Sequence, residues 1–127
     1  MFTFNQLHFP IFQEGEVEQG VTILHAALSM ANKLGHQDGI IYIHALLASI
    51  AYNQGEYIKA EKLYKDVIQR QINKGIDAED NSVVEMSLKL AVIYAEWKQH
   101  DKAKAGFKYC IETQEKKMKS SELNFLF

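Results

Sequence analysis

A chain of 127 residues with 47% hydrophobic residues, 24% charged residues and a formal net charge of -2 has the composition of one globular domain, not of a disordered chain. Its single cysteine, Cys110, excludes an internal disulfide and any zinc site that needs two or more thiolates. One proline and seven glycines are few turn-forming residues for a fold of many strands, so the composition favours helices.

The distribution of charge excludes further classes of segment. No Lys or Arg precedes Lys33, so the first 32 residues are not expected to be a signal or transit peptide. No apolar run approaches the ~18 residues of a membrane span. Residues 98–119 contain seven lysines, and the carboxylates among them favour a solvated helix face over a site for an acidic partner. A single arginine argues against nucleic-acid binding.

Hydrophobic periodicity predicts five helices, at residues 17–34, 38–53, 57–74, 82–97 and 101–119. Gly35, Gly55 and Gly75 follow the first three helices and are suited to C-terminal caps. The four residues that start at Ser82 form a capping-box pattern at the start of the fourth helix. The longest connection, residues 71–81, is the best candidate for a mobile loop.

The helical pattern repeats along the chain. A short motif that begins at Gly15 recurs at Gly55 and, in weaker form, at Lys98, with offsets of 40 and then 43 residues. Each copy continues into an apolar stripe led by a small residue: Gly20, Leu24, Ala27 and Leu28; then Ala60, Tyr64, Val67 and Ile68; then Ala103, Phe107, Cys110 and Ile111. Because this spacing is helical, each copy is expected to pack one helix face against a neighbouring helix.

The second and third copies, with the helix before each, resemble the tetratricopeptide repeat. The residues that carry the resemblance are Leu47, Ala48, Ala60 and Tyr64 in one copy, and Leu90, Ala91, Tyr94, Ala103 and Phe107 in the next. His44 and Ser87 replace the opening Trp of the family, and the period is longer than the usual ~34 residues, as in the branch that includes kinesin light chains.

The resemblance implies an all-α fold of tetratricopeptide-repeat helical hairpins, stacked as a short right-handed α-solenoid of about 2.5 repeats. The expected organisation is a degenerate N-terminal segment at residues 1–14, a repeat domain at 15–119 and an apolar C-terminal tail at 120–127.

Three longer stretches, at residues 23–28, 79–94 and 105–111, look like the tetratricopeptide repeat protein 19 family, and the resemblance covers roughly residues 12–117. It implies a non-enzymatic protein-binding scaffold of the mitochondrial inner membrane. The implied partners are respiratory complex III and its Rieske iron-sulfur subunit, whose fragments the scaffold helps to clear. The alternative is a cytosolic or cytoskeletal adaptor that binds a peptide segment in its concave groove.

In tetratricopeptide arrays the first helices of successive repeats line that groove. On this alignment the predicted groove residues are Tyr42, Ala45, Ser49, Tyr52 and Asn53 from one repeat, and Glu85, Leu88, Val92, Ala95 and Glu96 from the next. Each of them could instead serve interhelical packing or be plain surface. Ser49 and Val92 stand where chaperone-tail binders carry a clamp asparagine, so that clamp is not expected.

Catalytic, cofactor and metal sites are not predicted. The five histidines share no ligand spacing, and no HExxH or paired-carboxylate pattern occurs. Cys110 occupies the small-residue position of its stripe and is expected to be buried.

Aromatic residues cluster at both ends of the chain. Phe2, Phe4 and Phe9 near the start, and Phe125 and Phe127 at the end, are expected to pack on a neighbouring copy or on an exposed helix face. Self-association through apolar ends is therefore a prediction of the sequence.

Overall fold

The computed structural model describes residues 14–126, apart from the side chains of Glu14 and Phe125, and these residues form five α-helices without a strand. The helices are α1 (Glu14–Leu34), α2 (Gln37–Asn53), α3 (Tyr57–Asn73), α4 (Asn81–Glu96) and α5 (His100–Leu126). The predicted all-α class of helical hairpins is confirmed. The aromatic residues predicted to pack at the chain ends lie outside the described side chains, so that prediction stays open.

The structure divides into two compact units, of which the first extends to Arg70. Its core combines one face of α2 with α1: Ala31, Ile40, Ile43 and Leu47 are buried together, and Val21, Leu24, Leu28 and Leu63 pack against them. The small residues Ala48 and Ala60 are completely buried. Because neither carries more than a methyl group, the helix backbones can approach closely at these positions.

The second unit begins at Gln71 and contains the hairpin of α4 and α5. The two helices are so close at Gly106 that a Cβ added there would lie 2.8 Å from the Cβ of Ala91. One turn further on, Cys110 is buried, as predicted, and its Sγ lies 3.5 Å from the carbonyl oxygen of Val84. Burial raises the pKa of the Cys110 thiol, which is therefore a packing residue in the structure and not an activated nucleophile.

Helices α1 to α4 end with the same hydrogen-bond pattern. After α2, the N–H of Gly55 donates to the carbonyl of Tyr52 at 3.0 Å, and the N–H of Glu56 donates to that of Ala51 at 2.8 Å. The same pair of bonds recurs after the other three helices, with Gly35, Gly75 and Lys98 in the position of Gly55. All four residues have a left-handed backbone, with φ of 64°, 77°, 102° and 58° in chain order.

The start of α4 differs from the prediction. The N-cap is Asp80, so the prediction of a capping box at Ser82 is wrong. The Asp80 carboxylate accepts hydrogen bonds from the backbone N–H of Ser82 at 2.9 Å and from its hydroxyl at 2.8 Å. The backbone bond, followed by the hydroxyl bond, holds the pKa of Asp80 below its usual range. Ser82 is therefore the second residue of the helix and not its cap.

The connection predicted to be mobile is attached to α5. The hydroxyl of Tyr109 donates to the carbonyl oxygen of Ala78, and the ammonium of Lys116 donates to Glu79 at 2.9 Å. Helix α5 itself continues to Leu126 instead of ending at residue 119. Residues 120–126 contain neither glycine nor proline, so nothing in their sequence interrupts the helix.

Replacing Gly106 by Ala should destabilise the protein by about 1–2 kcal/mol, because overpacking against Ala91 outweighs the gain in helix propensity. Urea unfolding at equilibrium measures the difference. Gly20→Ala is the matched control, since a Cβ at Gly20 meets no atom within 4 Å and the change should stabilise α1 by up to about 1 kcal/mol. A Gly106→Ala protein as stable as the wild type would contradict the close contact.

Replacing Lys98 by Gly should stabilise the protein by about 1 kcal/mol, because a left-handed backbone is costly for a residue with a Cβ. Thermal unfolding followed by circular dichroism measures the effect. Gly55→Ala makes the opposite change at the equivalent turn and should lower the melting temperature. Lys98→Gly without any rise in melting temperature would argue against the left-handed turn.

Candidate protein-binding surfaces

The groove residues predicted on α2 lie at the surface of the first unit. Tyr42 is 67% exposed, while Ala45, Ser49 and Asn53 are half-buried. Successive spacings of three and four residues from Tyr42 through Ala45 to Ser49 place these side chains on one face of α2. Tyr42 therefore offers an exposed aromatic ring with a polar end, a side chain suited to a protein contact.

Tyr52 has a different environment from Tyr42. Its ring centroid lies 5.7 Å from that of Tyr57 and 6.3 Å from that of the buried Tyr64, both on α3. This aromatic cluster joins α2 to α3, and Tyr52 is half-buried within it. Of the two tyrosines predicted for the groove on α2, Tyr42 is the more accessible to a partner.

The residues predicted on α4 belong to the second unit. Glu85, Ala95 and Glu96 are exposed, Leu88 is 43% exposed and Val92 is half-buried. Only two of them, Glu85 and Leu88, line a shallow depression of about 510 Å³ between α4 and α5. The α2 and α4 sets lie in separate units, so the single groove that would unite them remains a prediction.

Helix α5 adds surface residues that the repeat pattern does not assign to binding. Ile111 was placed in the packed apolar stripe of the third copy, yet it is 57% exposed, and Met118 is 64% exposed. Both line the depression that contains Leu88. Ile111 also lines a neighbouring depression of about 720 Å³ with Phe107. The spacing of 111 and 118 could have placed them on one helix face, but no sequence signal gives their exposure.

The two residues that replace the family's opening Trp both have hydrogen-bond partners. The Nδ1–H of His44 donates to an Asp66 oxygen at 2.8 Å, and the Nε–H of Arg70 donates to the same oxygen at 2.8 Å. The hydroxyl of Ser87 donates to the carbonyl of Val83 at 2.8 Å, within its own helix. A polar side chain at this half-buried position therefore keeps its hydrogen bonds in both copies.

The ionisation of Asp66 contributes to stability. Partial burial acts to raise the pKa of its carboxyl, but the hydrogen bonds from Arg70 and His44 and their positive charges together outweigh it. The pKa of Asp66 is therefore lowered from its ordinary 3.8. A carboxyl with a depressed pKa stabilises the fold above its unfolded pKa, and that stabilisation is lost as the pH falls through the folded pKa.

Replacing Asp66 by Asn should lower the free energy of unfolding near neutral pH, and the difference from the wild type should shrink as the pH falls below 3.8. Urea unfolding at a series of pH values measures it. Glu18→Gln, at an exposed position of α1, removes one carboxylate from the same unit as a control. If the stability difference between the wild type and Asp66→Asn were independent of pH, the ion pairs would not be responsible for it.

Residues 14–126 contain no group of three or more His, Cys, Asp or Glu side chains that could hold a metal ion. None of the five described helices is both long enough and apolar enough to span a membrane.

Comparison with known proteins finds relatives that are named tetratricopeptide repeat protein 19. The chain matches no protein-family model. It is 38% identical over 104 residues to "Tetratricopeptide repeat protein 19, mitochondrial" of Danio rerio, which is 82% of this chain and 26% of that protein. The protein of the same name from Homo sapiens is 38% identical over 103 residues, 81% of this chain and 27% of that protein.

A homologue of that protein in Drosophila melanogaster is 29% identical over 100 residues, 79% of this chain and 27% of its own length. The chain thus spans about a quarter of the length of the curated relatives it matches.

Proposed function

We propose that this chain, which is homologous to mitochondrial tetratricopeptide repeat protein 19 over about four-fifths of its length, is a non-enzymatic protein-binding segment of that kind. The observation that carries the proposal is the 38% identity with the vertebrate proteins over 81–82% of the chain. An identity of this level over more than 100 residues exceeds what a shared helical periodicity alone requires.

The surface chemistry supports binding as the activity. Tyr42 on α2 and Leu88 on α4 are large side chains that are partly or largely exposed. Aromatic and aliphatic groups of this size contribute contact area and stacking in a protein interface. Both residues belong to the set predicted to line the groove of a tetratricopeptide array.

The finer proposal concerns the cellular location of the chain and its binding partner. We infer that the chain acts in the mitochondrion, at the inner membrane, where it binds respiratory complex III or its Rieske iron-sulfur subunit and promotes removal of fragments of that subunit. The relatives' names support the mitochondrion. The family resemblance of residues 79–94 and 105–111 supports the partner. The proposal does not assign the proteolysis itself to this chain.

A direct binding measurement tests the partner. The purified chain is immobilised and exposed to detergent-solubilised complex III and, separately, to purified Rieske subunit. We expect saturable binding to at least one of them. The double variant Tyr42→Ser, Leu88→Ser should bind at least about tenfold more weakly, since the predicted groove loses two large exposed side chains.

Ile58→Ser is the matched control, because Ile58 is as exposed as Tyr42, at 67%, and lies on α3 outside the predicted groove. Its binding should equal that of the wild type. Absence of binding to both complex III and the Rieske subunit would refute the finer proposal. An equal loss of affinity in the control would refute the groove while leaving the partner in place.

A further inference from the structure

Helix α1 has an exposed apolar side, which we call the α1 face and define by Ile23, Ala27 and Met30. Successive spacings of four and three residues place these side chains on one side of the helix. Ile23 is 68% exposed and Met30 is 60% exposed, and Ala27 is exposed as well. A different side of α1, which carries Leu24 and Leu28, packs on α2. Helix α1 therefore has two apolar sides, and α2 covers only one of them.

The corresponding faces of α3 and α5 are covered by the helix that precedes each in the chain. Through the repeat offsets of 40 and 43 residues, Ile23 corresponds to Leu63 of α3 and to Gly106 of α5. Leu63 packs against the core that α2 shares with α1. Gly106 lies directly against Ala91 of α4. The preceding helix therefore supplies the contact in both hairpins.

The second position of the face shows the same difference. Ala27 corresponds to Val67 and Cys110, which are 0% and 6% exposed. The Sγ of Cys110 lies 3.5 Å from the carbonyl oxygen of Val84, again on the preceding helix. Because α1 is the first helix of the described residues 14–126, its face lacks the cover that α3 and α5 have.

The residues before α1 are long enough to supply this cover. Ala91 and Ser87 are the residues of α4 nearest to a Cβ added at Gly106, and through the same offsets they correspond to His8 and Phe4. Val84, which contacts Cys110, corresponds to Met1. Residues 1–13 therefore extend far enough to lie beside both Ile23 and Ala27.

The composition of residues 1–13 also suits the α1 face. They contain four phenylalanines, one leucine and one isoleucine, and none of them is charged. The opposite side of α1 carries the exposed polar residues His25, Ser29 and Lys33, so it offers these apolar groups no comparable surface. Since the segment is joined directly to α1, its effective concentration at the α1 face is high.

We propose that residues 1–13 fold back along α1 and cover the α1 face, with Phe4 and His8 beside Ile23. The segment thus closes the first unit by the type of contact that α2 makes with α3 and α4 makes with α5. The contact is one of side chains, and no helix is assigned to the segment, because Pro10 lacks an N–H donor. It places the aromatic residues near the start of the chain on a helix face and not on a neighbouring copy. It is also independent of complex III.

Disulfide trapping in the full chain tests the contact. In a Cys110→Ala background, His8→Cys is combined either with Ile23→Cys, on the α1 face, or with His25→Cys. Residues 23 and 25 are almost equally far from residue 8 along the chain, but they point to nearly opposite sides of the helix. Under mild oxidation, the pair at 8 and 23 should form an intramolecular disulfide at least about tenfold faster than the pair at 8 and 25.

Equal rates for the two pairs, or no disulfide in either, would overturn the proposal, because a segment that does not contact α1 has no preference between its sides. A disulfide that joins two chains, seen as a doubled mass on a non-reducing gel, would also overturn it. That result would place the segment on a neighbouring copy.

Thermal unfolding gives a second measurement that does not require a disulfide to form. Ile23→Ser should lower the melting temperature by about 4–8 °C, because a covered side chain is lost. Ile58→Ser is the matched control, since Ile58 on α3 is 67% exposed and the change in helix propensity is the same. The control should shift the melting temperature by less than half as much.

A Phe4→Ser background links the loss at Ile23 to the segment. In that background Ile23→Ser should lower the melting temperature by less than it does in the wild type, because the contact is already weakened. Equal shifts for Ile23→Ser and Ile58→Ser would show that the α1 face is bare. A shift for Ile23→Ser that Phe4→Ser leaves unchanged would show that something other than the segment covers the face, and either result would refute the proposal.

Discussion

Close approach between helices, permitted by small side chains, is the constraint on which the rest of the structure depends. Ala48 and Ala60 are completely buried in the first unit, and Gly106 lies directly against Ala91 in the second. A larger side chain at any of these positions would push two helices apart by more than the packed core tolerates. Each hairpin can therefore bury larger apolar residues only because its contact points are small.

The turns between helices show how a repeated geometry tolerates different residues. The left-handed residue after each of α1 to α4 is needed to direct the last backbone N–H groups to helix carbonyls. Glycine meets this requirement at three turns and Lys98 at the fourth. The equivalence of Lys98 with Gly55 is visible in the repeat of the sequence. The sequence does not show that this lysine has a left-handed backbone, because residues with a Cβ rarely adopt that conformation.

Much of the fold can be predicted from sequence periodicity, whereas the exposure of individual side chains cannot. Five helices are predictable because apolar residues recur with a helical period, and the ends of the first three because a glycine follows each. The cap of α4 is missed because Ser82 and Asp80 are both plausible caps, and only geometry shows which accepts the bonds. Ile111 has the spacing of a core residue, and its exposure depends on which helices lie beside α5, which a local pattern does not encode.

Leu88 connects two surfaces of the second unit. It belongs to the predicted groove, and it lines the same depression as Ile111 and Met118. The apolar surface of α4 therefore continues onto the exposed face of α5. A substitution at Leu88 changes both surfaces at once, so a loss of binding in such a variant does not by itself distinguish the face of α4 from that of α5.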